Sequence, residues 1–371
     1  MKLLEIIKFS KEYLEKYSFS KSRLESEKVI SFVLGIERID LYSNFQMELT
    51  NEEKMKIKKI LLQMVKTNKK FDDIEKENIQ NQNTNTENFK KENLILLRKS
   101  ISYLKKYNVP NARIDAEYIF AQVLQVKRNA LMLSFNVEIN EEKRNTIRNY
   151  IQRRGKNREP LQYILKEWEF YGYPMNVDSR VLIPRQDTEI LVDECKKLLG
   201  KEEFPKILDM GTGSGAISIS LGKEINKSEV LGADISEEAL EVANSNKELN
   251  LAENVSFIKS NLFENINYKN YNLIVSNPPY IPVDEYENLM PEVKIYEPKN
   301  ALTDNGNGYY FYEKITEEAW EYLKKGGYLA FEVGYDQGEK VVSMMEKKGY
   351  KIIDRVLDYG GIERVILGQK I

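Results

Sequence analysis

Residues 206–215, KILDMGTGSG, decide the fold of this chain. A short apolar run ends at Asp209, and three glycines follow at alternate positions, Gly211, Gly213 and Gly215. Glycine permits a tight turn and lets a ligand approach the backbone closely. A strand that leads through such a turn into a helix is typical of α/β domains, which bind ligands beyond the carboxyl ends of their strands.

The pattern downstream of this stretch alternates between short β-rich runs and helical segments such as 236–249 and 309–323. The β-rich runs are 206–209, 230–234, 255–258, 273–275, 328–333, 351–353 and 364–367. Strand–helix alternation predicts a mostly parallel, seven-stranded sheet covered on both faces, in a Rossmann-like α/β fold. A short connection at 358–361 predicts that the last two strands form an antiparallel hairpin.

An acidic residue, Asp234, ends the second of these runs, 19 residues after Gly215. A carboxylate there can accept hydrogen bonds from ribose hydroxyls, which indicates a nucleoside-containing cofactor. A nicotinamide dehydrogenase is the main competing interpretation, because it also binds its cofactor at a glycine turn. Its G-x-G-x-x-G spacing is absent here, since residue 216 is alanine.

A rigid elbow, Asn277-Pro278-Pro279-Tyr280, follows the fourth run, at the same predicted edge of the sheet as the glycine turn. Proline fixes its φ angle and has no N–H group, so the elbow presents the Asn277 side-chain oxygen and the Pro278 carbonyl as adjacent acceptors. Two fixed acceptors match the two N–H bonds of an –NH₂ group, and Tyr280 adds a flat apolar face. We therefore expect an amide or aromatic amine to be held there for reaction by positioning alone.

The composition excludes several other chemistries. The chain has no histidine and one cysteine, Cys195, which removes His-dependent nucleophile systems, His-ligated metals and an internal disulfide framework. No metal is expected. No apolar run approaches the roughly 18 residues that span a bilayer, so we expect a cytoplasmic protein that does not contact a membrane.

The first 160 residues repeat at a constant offset of 90. Tyr13-Leu14-Glu15-Lys16-Tyr17 returns as Tyr103-Leu104-Lys105-Lys106-Tyr107, and Arg23-Leu24-Glu25 returns as Arg113-Ile114-Asp115. Helical spacing of the apolar residues predicts that each copy is a small helical bundle. The predicted domains are a first copy at 1–66, a polar coiled linker at 67–90, a second copy at 91–160, and a catalytic domain at 161–371 that includes a β-hairpin at about 168–178.

In combination, the motifs resemble those of the peptide chain release factor glutamine methyltransferases, the PrmC/HemK family. They are Arg158 to Ile164, Leu182 to Glu189, the Gly211–Gly215 turn, Ser276 to Ile281, Glu297-Pro298 with Ala301-Leu302, and Glu332-Val333-Gly334 with Gln337-Gly338. The resemblance covers residues 91–371 and implies S-adenosylmethionine as cofactor. The implied substrate is the glutamine of the Gly-Gly-Gln motif in class I release factors, methylated on its amide nitrogen, with the second helical copy helping to recognise the release factor.

The resemblance also implies roles for individual residues. The cofactor would contact Gly211, Thr212, Gly213, Ser214, Gly215, Asp234, Asn261, Leu262 and Asn277, and the glutamine would contact Asn277, Pro278, Pro279 and Tyr280. Of the latter, Asn277, Pro278 and Tyr280 are the predicted catalytic residues. Asn261 stands where the family often has aspartate, and the first helical copy is an addition to the usual family pattern. Arg185 and Glu189 suit either the pocket or a salt bridge and are left outside the predicted site.

Two alternatives to this interpretation stay open, and charge bears on the first. Residues 1–160 carry a net charge of +10 and residues 161–371 carry −12. The basic half favours an adenine or guanine amino-group methyltransferase acting on DNA or RNA, for which the elbow would also be suitable. The acidic catalytic half disfavours phosphate contacts, so no direct nucleic-acid substrate is expected, although the enzyme would work near the ribosome. The other alternative is a non-catalytic binding module that retains the methyltransferase fold.

Overall fold

The computed structural model describes residues 2–200 and 202–371, and the side chains of residues 79–83 lie outside the description. It divides into two compact units. One unit comprises the chain up to Leu96 together with residues 132–140, and the other comprises residues 97–131 together with 141–371.

The part of the chain that precedes the first strand is helical. Its α-helices are α1 (Leu3–Lys16), α2 (Ser22–Leu34), α3 (Asp40–Ser43), α4 (Asn51–Thr67), α5 (Phe71–Lys106), α6 (Ala112–Leu124), α7 (Leu131–Ser134), α8 (Glu141–Gly155) and α9 (Leu161–Leu165), with a 3₁₀ turn at Arg128–Ala130. Helices α1, α2 and α4 bury an apolar core that includes Leu3, Leu14, Ile30 and Met64. A reciprocal Thr50–Glu53 capping box lies at the N-terminus of α4. It satisfies backbone N–H groups that have no partner within the helix, which favours a helix start at this position.

The helices of the two predicted copies recur at the offset of 90 residues. Helix α2 begins and ends 90 residues before α6, and α4 begins 90 residues before α8. A buried glutamate bridges two arginines in each copy: Glu27 pairs with Arg23 and Arg38, and its counterpart, Glu117, pairs with Arg113 and Arg128. The repeated ion-pair geometry supports the interpretation that the N-terminal region is duplicated.

The prediction of a coiled linker at 67–90 was wrong for residues 71–90, because α5 runs through them without interruption. Residues 67–90 contain neither glycine nor proline, so nothing in the backbone chemistry stops a helix. Phe71 and Ile74 are buried in the core of the first copy, which anchors the beginning of α5. The remaining domain boundaries stay predictions.

A β-hairpin and a seven-stranded sheet form the rest of the chain. The strands are β1 (Glu167–Phe170), β2 (Tyr173–Asn176), β3 (Lys206–Met210), β4 (Glu229–Asp234), β5 (Val255–Lys259), β6 (Tyr271–Ser276), β7 (Leu323–Glu332), β8 (Tyr350–Leu357) and β9 (Glu363–Lys370). The helices among them are α10 (Asp187–Leu199), α11 (Ala216–Glu224), α12 (Glu237–Leu249), α13 (Val283–Tyr286), α14 (Pro291–Tyr296), α15 (Tyr310–Tyr322) and α16 (Gly338–Lys348), with a 3₁₀ turn at Lys299–Ala301. Strands β1 and β2 pair antiparallel, which confirms the predicted hairpin.

The sheet has the order β5-β4-β3-β6-β7-β9-β8. Its strands are parallel apart from β9, which is antiparallel to both β7 and β8, so the predicted terminal hairpin and the mostly parallel sheet are confirmed. The register pairs Met210 with Ala233 and Ser276 with Phe331. The carboxyl ends of β3, β4, β6 and β7 therefore meet at one edge, where the candidate site lies.

Candidate active site

The glycine turn after β3 is fixed by hydrogen bonds from its own backbone. The N–H groups of Gly211 and Thr212 both donate to the Ala233 carbonyl at the end of β4, and the Gly213 N–H donates to Asp234 Oδ2 at 2.9 Å. These amides are therefore committed within the protein. A pyrophosphate-binding turn needs free N–H groups for its anion, so this geometry counts against the dehydrogenase alternative.

A buried carboxylate supports the turn from below. Asp209 Oδ2 accepts hydrogen bonds from the hydroxyls of Thr212 and Ser218, each at 2.7 Å. Burial raises the pKa of Asp209 to about 6, and the two hydroxyl donors oppose this rise. Asp209 thus holds the turn in shape without reaching the cavity above it.

Asp234 lies at the mouth of the turn. Its Oδ2 accepts from Gly213 and its Oδ1 accepts from the Ser236 N–H, also at 2.9 Å. Burial raises its pKa, whereas these backbone hydrogen bonds lower it. Each carboxylate oxygen has a second lone pair, so the carboxylate is held in place and each oxygen can accept one further hydrogen bond.

A cavity of about 370 Å³ opens at this edge of the sheet. The structure brings most of the predicted site residues together around it. These are Gly211, Thr212, Gly213, Ser214, Asp234, Asn261, Leu262, Asn277, Pro278 and Pro279. Their assignment to cofactor or substrate stays a prediction, but they line one continuous space.

Two predicted site residues, Gly215 and Tyr280, are not among the described residues that line this cavity. Gly215 has a φ of +81°, and a Cβ atom there would lie 2.9 Å from the Phe257 ring, so its glycine serves helix–sheet packing. The ring of Tyr280 packs against the apolar cluster beside β6 and β7, and burial raises its hydroxyl pKa.

The proline elbow after β6 is anchored on both sides. The Ser276 hydroxyl donates to the Met210 carbonyl at 2.7 Å, which ties the end of β6 to the end of β3. On the far side, Gln337 Nε2 donates to the Tyr280 carbonyl at 2.9 Å, and Gln337 is 3% exposed. Between these anchors, Asn277 Nδ2 donates to Thr188 Oγ1 at 3.2 Å. The amide nitrogen of Asn277 is therefore engaged with α10.

Asn261 shows how an asparagine can stand where the family often has aspartate. Its Nδ2 donates to Glu264 Oε1 at 2.7 Å on the exposed side of the loop. Because Glu264 is acceptor-only when ionised, it holds the amide with the nitrogen toward itself. The Asn261 oxygen is thereby left to accept a hydrogen bond from a ligand.

The cavity is completed by residues that sequence analysis did not assign to the site. They are Arg180, Leu182, Pro184, Arg185 and Thr188 from the segment before and within α10, Pro298, Asn300 and Ala301 around the 3₁₀ turn after the elbow, and Tyr310 and Phe311 from the beginning of α15. The buried Glu297 carboxylate joins the two groups, since it binds the Arg185 guanidinium and accepts from the Ile183 N–H. Glu189 instead accepts from the Tyr171 N–H, a backbone hydrogen bond that is neither the pocket contact nor the salt bridge considered for it.

The described residues contain neither a metal-binding cluster nor a membrane-spanning helix. Among those residues, no cluster of three or more Cys, Asp or Glu side chains is arranged to hold a metal ion. Within the same ranges, no helix combines the length and apolar character needed to span a bilayer.

The strand order, the internally bonded glycine turn and the acidic residue after β4 define a class I S-adenosylmethionine-dependent methyltransferase. Two family models match the sequence. The model described as methyltransferase small domain matches residues 186–310, and the PrmC N-terminal domain matches residues 96–165.

Curated relatives identify the family. The release factor glutamine methyltransferase of Fusobacterium nucleatum is 51% identical over 342 residues, which cover 92% of this chain and 94% of that protein. The protein of the same name from Geobacter sulfurreducens is 39% identical over 72% of this chain and 93% of its own length. The chain belongs to the release factor glutamine methyltransferases.

A solved structure is also similar. The protein-(glutamine-N5) methyltransferase (release factor-specific) of Alicyclobacillus acidocaldarius is 26% identical, covering 51% of this chain and 94% of that one, with a TM-score of 0.33.

Proposed function

We propose that this chain transfers a methyl group from S-adenosylmethionine to the side-chain amide nitrogen of a glutamine, the one in the Gly-Gly-Gln motif of class I peptide chain release factors. The observation that carries the proposal is the orientation of Asn277. Its amide nitrogen is bound to Thr188, so its oxygen is the atom left for a substrate N–H. The same cavity contains the glycine turn and Asp234, which are suited to the cofactor.

The elbow would act on the glutamine by positioning. The Asn277 oxygen and the Pro278 carbonyl would each accept one N–H bond of the substrate carboxamide. An amide nitrogen is a weak nucleophile because its lone pair is delocalised into the carbonyl. Fixing both N–H bonds turns that lone pair toward the reacting methyl and stabilises the positive charge that develops on nitrogen.

When bound, S-adenosylmethionine supplies an electrophilic methyl group on a sulfonium. The chain itself holds the two reactants in place, and no covalent intermediate forms on any of its side chains. The nitrogen gains the methyl and loses one proton, which passes to water after attack. A chain without histidine can run this chemistry, because no strong base has to act before attack.

The residues that would bind the cofactor have distinct tasks. Asp234 would accept hydrogen bonds from the ribose hydroxyls through the remaining lone pairs of its two oxygens. Asn261 would accept a hydrogen bond from the adenine amino group through its side-chain oxygen, since Glu264 engages only its nitrogen. The glycine turn, whose φ angles at Gly211 and Gly213 are +78° and +53°, would let the cofactor lie against bare backbone.

The second helical copy, residues 91–160, would help to recognise the release factor. The PrmC N-terminal domain matches residues 96–165, which include most of this copy. A substrate that works in translation places the reaction in the cytoplasm and near the ribosome.

The test is a methyl-transfer assay with isotopically labelled S-adenosylmethionine. Three acceptors are compared: a purified class I release factor, the same factor with its Gly-Gly-Gln glutamine replaced by alanine, and bare DNA or RNA. We expect label in the first acceptor alone, with mass spectrometry locating one added CH₂ on the glutamine. Label in the nucleic acid would favour the amino-group alternative, and label in none of the three would favour a non-catalytic module.

The control for the site is Asn277→Ala. Loss of one preorganised acceptor is expected to lower kcat by roughly 10²–10³-fold. Circular dichroism of this variant should match the wild type, because Asn277 is partly exposed at the cavity wall.

A further inference from the structure

A buried carboxylate lies behind the elbow, outside the cavity lining. Glu332 ends β7 with 2% of its surface exposed, and its Oε2 has no hydrogen-bond partner among the described residues. Ser276 of β6 pairs with Phe331 of β7, so Asn277 and Glu332 follow side by side at the ends of these strands, and Thr188 and Asn277 both lower the pKa of the carboxyl. Thr188 is itself 5% exposed, so Thr188 and Glu332 are largely closed to water, whereas Asn277 reaches the cavity.

The Asn277 amide requires such support. Its oxygen and nitrogen have nearly the same shape, so sterics alone do not decide which of them faces the cavity. Only the hydrogen-bonding environment distinguishes the two orientations. With the nitrogen toward the cavity, Asn277 would offer a donor to a substrate –NH₂ group, which is also a donor, and methyl transfer would lose its acceptor.

We propose that Glu332 and Thr188 are positioning residues that select the Asn277 orientation, with the amide nitrogen held inward and the oxygen presented to the substrate. This inference rests on the proposed function. When ionised, the Glu332 carboxylate accepts but does not donate, so a flipped Asn277 would bring its oxygen toward a negative charge. Thr188 accepts the Asn277 N–H at 3.2 Å, which leaves its own hydroxyl proton available to the Glu332 carboxylate.

The charged groups around Glu332 are consistent with this role. Arg364, from β9, lowers the pKa of Glu332, and Asp187, beside Thr188 on α10, raises it. Burial is the largest influence and raises the pKa to about 7. Arg364 is itself paired with Asp358 at 3.0 Å and lies 3.4 Å from Asp187. A carboxyl group left partly unsatisfied in the core costs stability, which indicates that it is retained for function.

The first test compares two substitutions at one position. Thr188→Val keeps the shape of the side chain and removes the hydroxyl, whereas Thr188→Ser keeps the hydroxyl. We expect Thr188→Val to lower kcat for release-factor methylation by roughly 10- to 100-fold, with the KM for S-adenosylmethionine changed less than twofold. Thr188→Ser should recover at least half of the wild-type kcat.

The matched control is Thr316→Val. Thr316 is a buried threonine on α15 whose hydroxyl has no hydrogen-bond partner among the described residues. The same chemical change there should leave kcat unaltered. A loss of activity in this control equal to that of Thr188→Val would attribute the effect to general loosening of the core and overturn the inference.

Glu332→Gln provides an independent variant. A glutamine can accept through one oxygen but also donates through its nitrogen, so it can stabilise the flipped Asn277. We expect kcat to fall at least tenfold while the melting temperature at pH 8 does not fall. Wild-type kcat in both Thr188→Val and Glu332→Gln overturns the inference alone. A wild-type protein that does not methylate the release factor overturns the proposed function and the inference together.

Discussion

Asn261→Asp provides a sharp test of the cofactor end of the site. The substitution introduces the residue that the family often has, so likeness to the family predicts unchanged or tighter binding. The structure predicts the opposite. Asn261 Nδ2 lies 2.7 Å from Glu264 Oε1, and aspartate would replace this hydrogen bond by two facing carboxylates.

The size of the effect follows from this distance. Two unit charges about 3 Å apart repel by about 1.4 kcal/mol in bulk water and by about 5 kcal/mol near a protein surface. Both side chains are exposed and can turn apart, so the lower figure applies. A loss of about 1 kcal/mol corresponds to a roughly fivefold weaker affinity for S-adenosylmethionine.

Titration calorimetry of four proteins measures the coupling: the wild type, Asn261→Asp, Glu264→Gln and the double variant. Glu264→Gln should change the affinity less than twofold, because a glutamine oxygen still accepts from Asn261. The double variant should bind S-adenosylmethionine as tightly as the wild type does. The loss of affinity in Asn261→Asp should become smaller as salt is added. Equal or tighter binding by Asn261→Asp at low salt would refute the reasoning.

Three further predictions concern the rest of the molecule. Deleting residues 1–90 should leave kcat within about threefold of the wild type, because the Geobacter relative aligns over 93% of its length with only 72% of this chain; an inactive but folded product in the methylation assay would contradict this. Arg154→Ala should lower the free energy of unfolding in urea by about 3 kcal/mol, since it removes the cation paired with buried Asp115, while Glu292 keeps its pair with Arg158. Arg148→Ala, which removes an exposed pair with Glu141, should cost less than about 1 kcal/mol, and equal losses would rule out the buried network as the cause. Burial raises the pKa of Glu332 to about 7, compared with about 4.5 in the unfolded chain, so its contribution to stability is complete below pH 4.5 and is lost as the pH rises through 7. The free energy of unfolding of Glu332→Gln should therefore rise by about 3 kcal/mol relative to that of the wild type between pH 4 and pH 8. Urea unfolding measured across this pH range would refute the shift if the difference between the two proteins stayed constant.

The sheet could be predicted from the sequence because its signals are local. Each strand is a short apolar run, and each is separated from the next by a helix or by a turn such as 358–361, so the pattern predicts direction as well as type. The glycine turn, Asp234 and the elbow each follow directly after a strand. Parallel strands share one edge for their carboxyl ends, which was enough to predict that these residues lie at one edge of the sheet. It did not distinguish Gly215 and Tyr280, which lie there without lining the cavity.

The linker prediction failed because composition is a weak guide to conformation. Residues rich in Asn, Gln, Thr and Glu resemble a coil, but they have no strong preference against a helix when both ends are anchored. The sequence carried a usable signal, since neither glycine nor proline interrupts residues 67–90. Phe71 and Ile74 are also 90 residues before Leu161 and Ile164 of α9, so the repeat itself extended past residue 66.

The partners that orient the site could not be predicted, because they come from distant parts of the chain. Thr188 is 89 residues before Asn277 in sequence, and it reaches Asn277 only because α10 packs against the end of β6. Glu332 is buried at the end of β7, a strand that pairs directly with β6. A sequence pattern identifies which side chains follow a strand, but the direction in which an amide faces depends on what the fold places behind it. The two faces of Asn277 are therefore decided by different parts of the chain: the elbow fixes where the amide lies, and α10 with β7 fixes which of its atoms meets the substrate.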